Sequence, residues 1–191
     1  NLLEVRVPPF WAEGGSSKYL LGTDALGRDI FSRLIEGARV SLTIVSIVLG
    51  IGAISGVTLG MISGYFGGQI DEIIMRIVDF AFAVPFILVA LVVVIVLGQS
   101  LAVIIALLVF FSWPGFARQV RAETLSLKRR DYVALAQIAG ASPERILFRH
   151  ILPGVTNTAV VVATLRVGQL ILVESTLSFL GVGIPPPTPA A

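Results

Sequence analysis

Four long apolar runs, Val40–Tyr65, Ile73–Leu97, Leu101–Ala117 and Val155–Phe179, constrain this chain more than any other feature. A helix of about 17–25 apolar residues crosses the hydrocarbon layer of a bilayer, and each run falls in or near that range. In lipid the backbone must satisfy its own polar groups, which an isolated run achieves only as a helix. The expected fold is therefore all-α: a polytopic transmembrane helix bundle with four spans. Charged residues make up 14% of the chain, against about 25% in soluble domains.

One long polar segment separates the last two runs. Arg118–Pro153 holds seven of the fourteen Lys and Arg (Arg118, Arg121, Lys128, Arg129, Arg130, Arg145, Arg149) against Glu123, Asp131 and Glu144. Connections with such an excess face the cytoplasm by the positive-inside bias. The segment also reads as ordered. Val120–Ala139 is rich in helix formers, and Gly140 can take the left-handed conformation that ends a helix. Ser142 before Pro143 predicts an N-cap and a first-turn proline, and Pro153 is expected to close a second, short helix. Two helices hinged at Gly140-Ala141 would form a rigid cytoplasmic knob. A nucleic-acid patch is disfavoured, because the adjoining spans account for the charge and Tyr132 is the single aromatic between Arg118 and Glu144.

Elsewhere the chain carries local signals. Residues 1–22 read as an extramembrane loop, with no apolar core of a signal peptide in residues 1–20. Thr23 or Asp24 is expected to cap an amphipathic helix with Leu26, Ile30, Phe31, Leu34, Ile35 and Ala38 on one face. That helix suits the membrane surface, or else a solvated lobe. Gly52, Gly56, Gly60 and Gly64 form a four-residue stripe that allows close helix packing, against a helix of this chain or of another. Gly67-Gly68 should end the first span, with a short turn around Gln69–Glu72. Arg76 and Asp79 are spaced to pair, and Pro85 is expected to kink the second span. Arg166 and Glu174 are costly in lipid and should face a bundle interior or aqueous path, or be satisfied by a neighbouring helix. Eight residues, about 12 Å of helix, keep them from pairing directly.

Two stretches carry a family resemblance. Ala134–Gly140 (ALAQIAG), nine further residues and then His150-Ile151-Leu152-Pro153 resemble the EAA loop of ABC-importer permeases. Leu20–Leu42 (LLGTDALGRDIFSRLIEGARVSL) resembles the segment before the second span in one permease of peptide importers. RHILP, with Gly140-Ala141-Ser142, is most similar to the dipeptide, oligopeptide and nickel branch. The general pattern has Glu-Ala-Ala where this chain has Ala134, Leu135 and Ala136, and isoleucine where it has His150.

The resemblance implies a coupling helix docked on a cytoplasmic ABC ATPase through Ala134, Leu135, Ala136, Gly140, Ala141, Ser142, His150, Leu152 and Pro153. It also implies a second permease subunit, an extracytoplasmic solute-binding protein, a plasma (inner) membrane location and about six spans, four of them here. ATP and magnesium are expected on the partner ATPase, with no cofactor or metal here, since this chain has no GxxxxGK[ST] phosphate loop. Asp79, Pro85, Arg166 and Glu174 are candidate translocation-path residues. The expected organisation is an extracytoplasmic loop and interfacial helix (1–39), a permease core (40–179) containing the coupling loop 118–153, and an extracytoplasmic proline-rich segment (180–191).

The function expected is ATP-driven movement of a small peptide or related solute through the membrane. The alternative is an ion-driven transporter or channel using Arg166, Glu174 and Asp79. An intramembrane enzyme is disfavoured: the chain has no Cys and one His, and neither HExxH nor GxSxG.

Overall fold

The computed structural model describes residues 5–181. Most of the proline-rich segment expected at 180–191, from residue 182 on, lies outside the described residues, as do residues 1–4. The chain divides into two compact units, residues 1–44 and 45–191. The described residues are helical or turn-like, with one isolated antiparallel bridge between Thr23 and Asp29.

In the first unit the GTDALGRD stretch is a hydrogen-bonded loop, not the start of a helix. One carboxylate oxygen of Asp24 accepts the amides of Leu26 (2.8 Å) and Arg28 (3.0 Å). The other accepts Arg28 Nε (2.9 Å) and an Arg33 guanidinium N–H (2.6 Å). The Arg28 amide leads in holding the Asp24 carboxyl well below its ordinary range, with Leu26 and the two guanidinium groups adding to it against partial burial. Gly22 has φ +80, and a Cβ there would lie 2.3 Å from the Val7 carbonyl oxygen, so only glycine fits the crossing. Asp29, in place of Thr23 or Asp24, receives the first free amides of the helix, those of Phe31 and Ser32 (3.2 Å each). The Ser32 hydroxyl, donating to the same carboxylate, leads in lowering the Asp29 pKa.

Helix α1 then runs unbroken over Ile30–Phe66. The expected surface helix and first span are one helix, because no breaker separates Arg39 from Val40. Helix α2 (Gly68–Ala83) follows at once after Gly67, whose φ of +66 makes the turn. The turn expected at Gln69–Glu72 is thus helical. Helix α3 (Phe86–Leu97) begins at Pro85, and α2 and α3 meet at 82°, as a broken span or re-entrant loop rather than one kinked span. Pro85 lacks an amide and also drives Val84 out of helical conformation, to ψ 123, so two consecutive residues abandon the helix.

Helix α4 (Leu101–Leu127) carries the third apolar run ten residues past Ala117, and Pro114 sits within it. Helix α5 (Asp131–Ile138) and α6 (Pro143–Ile146) form the polar excursion. A π-helical turn, Leu147–Ile151, leads into α7 (Leu152–Phe179). Pro153 does not close the short helix. It lies in the first turn of α7, and the widened turn before it, with the Leu152 amide reaching Leu147 oxygen, accommodates the missing proline donor. Among the described residues three helices are long and apolar enough to cross a membrane: Ile30–Phe66, Leu101–Leu127 and Pro143–Phe179 taken as one. The bent α2–α3 pair is the fourth candidate.

Within the second unit α4 is the central element, packed on α7, α2 and α3. The glycine stripe of α1 lies against it. A Cβ at Gly56 would stand 2.5 Å from both Phe116 Cβ and the Trp113 carbonyl oxygen, and one at Gly60 2.6 Å from the Ala117 carbonyl. Gly52 and Gly64 abut Ser112 and Thr124 in the same way, whereas Gly50, off the stripe, has open space. Backbone-to-backbone approach of this kind is the packing that small residues permit in lipid.

Candidate functional site

The polar excursion is anchored, not suspended. Val133 of α5, Ile146 of α6, Leu147 and Ile151 of the π turn and Val155 of α7 are buried in one cluster with Met61 of α1 and Val120 of α4. The knob therefore shares a core with three of the long helices, and close-packed cores transmit displacement instead of absorbing it. Lys128 locks the corner further by donating 2.5 Å to the Tyr65 carbonyl at the end of α1. The continuous helix read over Val120–Ala139 is split at Lys128–Arg130, where the chain turns so that Val133 can enter this core.

Gly140 has φ +77 with nothing within 4 Å of a would-be Cβ. Its constraint is the left-handed backbone, which costs other residues roughly 1–2 kcal/mol. The Ser142 hydroxyl caps α6 by accepting the Arg145 amide at 3.4 Å. Around the hinge, Ala136, Ala139, Gly140 and Ala141 line a shallow hollow of 390 Å³ flanked by Arg145, Arg149 and His150. The His150 ring stands 6.3 Å from that of Tyr132. Outside the hollow, Leu135, Ile138 and Phe148 are exposed, Ile138 at 83%. Ala134 is exposed with them, whereas Leu152 turns into the buried cluster and Pro153 starts α7. Small residues, exposed apolar side chains and flanking positive charge make a surface suited to docking. The sequence pattern located the hinge, but not Ile138 and Phe148 beside it or Val133 beneath it.

The candidate path residues are distributed over α2, α4 and α7. Asp79 pairs with Arg118 of α4, whose guanidinium also lies 4.5 Å from the Phe82 ring centre. It does not pair with Arg76, which instead binds Glu72 at 2.5 Å, one turn back on the exposed side of α2. One turn further along α4, Arg121 holds Asp71 through two 2.5 Å bonds, and the Ser63 hydroxyl donates to the same carboxylate. These bonds tie α2 to α4, a role not visible while the arginines counted only as loop charges.

Pro85 marks the α2–α3 break and lines a 330 Å³ hollow with Arg166. Arg166 itself donates to the Ser112 carbonyl at 3.2 Å and lies 5.6 Å from the Phe116 ring centre. Glu174, two turns away and buried, accepts the Ser178 hydroxyl at 3.4 Å. The structure does not bring Asp79, Arg166 and Glu174 into one ion-binding cluster.

The family model described as a binding-protein-dependent transport system inner membrane component matches residues 56–191. The chain is 47% identical over 177 residues to a glutathione transport system permease protein of Pectobacterium atrosepticum, covering 93% of this chain and 59% of that one. It is 42% identical over 189 residues to a dipeptide transport system permease protein of Haemophilus influenzae, covering 99% and 64%. A glutathione transport system permease protein of Shigella sonnei is 48% identical over 176 residues, covering 92% and 58%. The chain thus spans about three fifths of the length of these relatives. Because the matched segment takes in most of the glycine stripe, the broken helix, the anchored knob and α7, the chain belongs to the family of binding-protein-dependent transport system inner membrane components.

Proposed function

We propose that this chain is the membrane-crossing part of an ABC-importer permease that moves a short peptide or peptide-like solute, driven by a separate cytoplasmic ATPase. The relatives named for glutathione and dipeptide transport support that solute class. One observation carries the mechanism: α5 and α6 share a buried core with α1, α4 and α7 while their outer side keeps Leu135 and Ile138 exposed. An ATPase seated on that side would grip the hinge around Ala134–Ser142, with His150 at its rim. Its nucleotide-driven closure would swing the knob and the helices anchored to it as one body, between inward- and outward-open states.

ATP and magnesium belong to the ATPase in this scheme, and the pathway forms against a second permease subunit. An extracytoplasmic binding protein delivers the solute on the other side. The basic excursion 118–153 is placed in the cytoplasm, by its excess of Lys and Arg.

Gly140→Val tests the coupling role. The variant strains only the left-handed hinge and leaves the spans untouched. Membrane insertion should be normal, whereas recovery of the ATPase with tagged full-length permease, or ATP-driven uptake, should fall severalfold. Normal recovery and normal uptake by well-expressed Gly140→Val permease would remove the coupling role assigned to this hinge.

A further inference from the structure

Arg166 carries a charge the described structure does not neutralise. Its guanidinium crosses α4 in the notch left by Gly115, where a Cβ would stand 1.6 Å from one of its terminal nitrogens. The Ser112 carbonyl takes one of its five N–H donors, at 3.2 Å, and the Phe116 ring lies 5.6 Å from its centre. Among the described residues no carboxylate lies within ion-pair distance of it, whereas the neighbouring Arg118 is paired with Asp79. An ionic side chain held part-buried in a membrane-spanning helix is costly unless an anion meets it.

The space beside Arg166 is shaped for such an anion. Two hollows, of 330 and 380 Å³, share Phe82, Arg166 and Gln169 as common lining. The first is walled by Phe86, Phe111 and Leu170 at the α2–α3 break, and the second by Arg118 and Gln119. Volumes of this order are those of small-molecule sites, with apolar walls and a few convergent polar groups. Gln169 supplies both a donor and an acceptor next to the charge.

We propose that Arg166 is a carboxylate-binding residue of the translocation path. It would receive the free terminal carboxylate of a short peptide, with Gln169 beside it and the aromatic walls taking the solute's side chains. A guanidinium fork matches a carboxylate in bidentate geometry, which a primary amide cannot reproduce. The site rests on the transport reading above, and names the solute group that the path recognises.

The test uses the complete transporter in liposomes: full-length permease, companion permease, ATPase and binding protein. ATP-driven uptake of dialanine is compared with that of its C-terminal amide. Selectivity exerted by the binding protein cancels when variants are compared with the wild type. Arg166→Gln should lower the acid-to-amide uptake ratio by about tenfold or more, the size expected for lost charged hydrogen bonds, with amide uptake within about twofold of wild type.

Arg166→Lys, which keeps the charge but not the fork, should lower the ratio partway, and decides the matter if Arg166→Gln does not assemble. A ratio unchanged in the assembled variants would overturn the site. So would equal loss of both solutes, the mark of a purely structural arginine. Absence of ATP-driven uptake of either solute by the wild type would instead overturn the transport reading, and this site with it.

Discussion

Replacing Gly56 by alanine isolates what the glycine stripe contributes. The new Cβ would start 2.5 Å from Phe116 Cβ and the Trp113 carbonyl oxygen and 3.1 Å from the Ala117 amide nitrogen, against 3.4–4 Å for ordinary contact. Two of those three atoms are backbone, so no rotamer change relieves them. The helices must part locally by about 1–1.5 Å, and a gap of that order forfeits a quarter to a half or more of each contact's attraction. The expected cost is about 1–3 kcal/mol, the usual range for overpacking.

Alanine also has a higher intrinsic helix propensity than glycine, which would mask part of the loss. Gly50→Ala removes that ambiguity, because it gains the same propensity on the same helix where nothing lies within 4 Å. The quantity to measure is the difference in unfolding free energy between the two variants, by SDS titration of the full-length permease in mixed micelles. Gly50→Ala should be neutral or slightly stabilising and Gly56→Ala destabilising. Equal effects at the two positions would refute the packing argument, whatever their sign.

Further outcomes follow from the ion pairs, the loop and the topology. Asp71→Asn should cost about 1–3 kcal/mol, because it leaves Arg121 part-buried without its bidentate partner, and Arg121→Gln added to it should restore some of the loss in a double-mutant cycle. The Asp24 carboxyl is depressed in the folded loop, so its contribution is complete above the unfolded value of 3.8, shrinks below it and is lost once pH falls through the folded value. Hydrogen exchange at the Leu26 and Arg28 amides, corrected for intrinsic rates, should therefore show protection at pH 5 that is sustained to about pH 4 and weakens in stronger acid; Asp24→Asn should lack protection throughout. In a cysteine-free transporter, Gln99→Cys should react with an impermeant thiol reagent in intact cells and Ser126→Cys only after permeabilisation; the reverse pattern would overturn the cytoplasmic placement of residues 118–153.

What the sequence determined by itself was local or periodic. Apolar run length decided the helices, because a backbone in lipid has no other way to satisfy its amides. Glycines four apart had to share one face of α1, and Gly140 and Ser142-Pro143 carried the hinge in their own backbone preferences. The GTDALGRD stretch misled, because Leu26, Ile30 and Leu34 keep helical spacing while Asp24 collects two amides and two guanidinium groups into a loop. Asp29 then does the capping.

Tertiary packing decided the rest. Asp79 chose Arg118, 39 residues away, over Arg76 three residues away, and nothing in helical spacing ranks a distant partner against a near one. Pro85 marked a break in the second run but not its angle, which packing set at 82°, and Pro153 continues a helix because a π turn before it absorbs the lost donor. Packing also put Arg166 across the Gly115 notch and bound the knob into the core through Val133, Ile146 and Ile151. Burial and ion pairing are settled among residues far apart in the chain, whereas caps, turns and periodicity are settled among near neighbours.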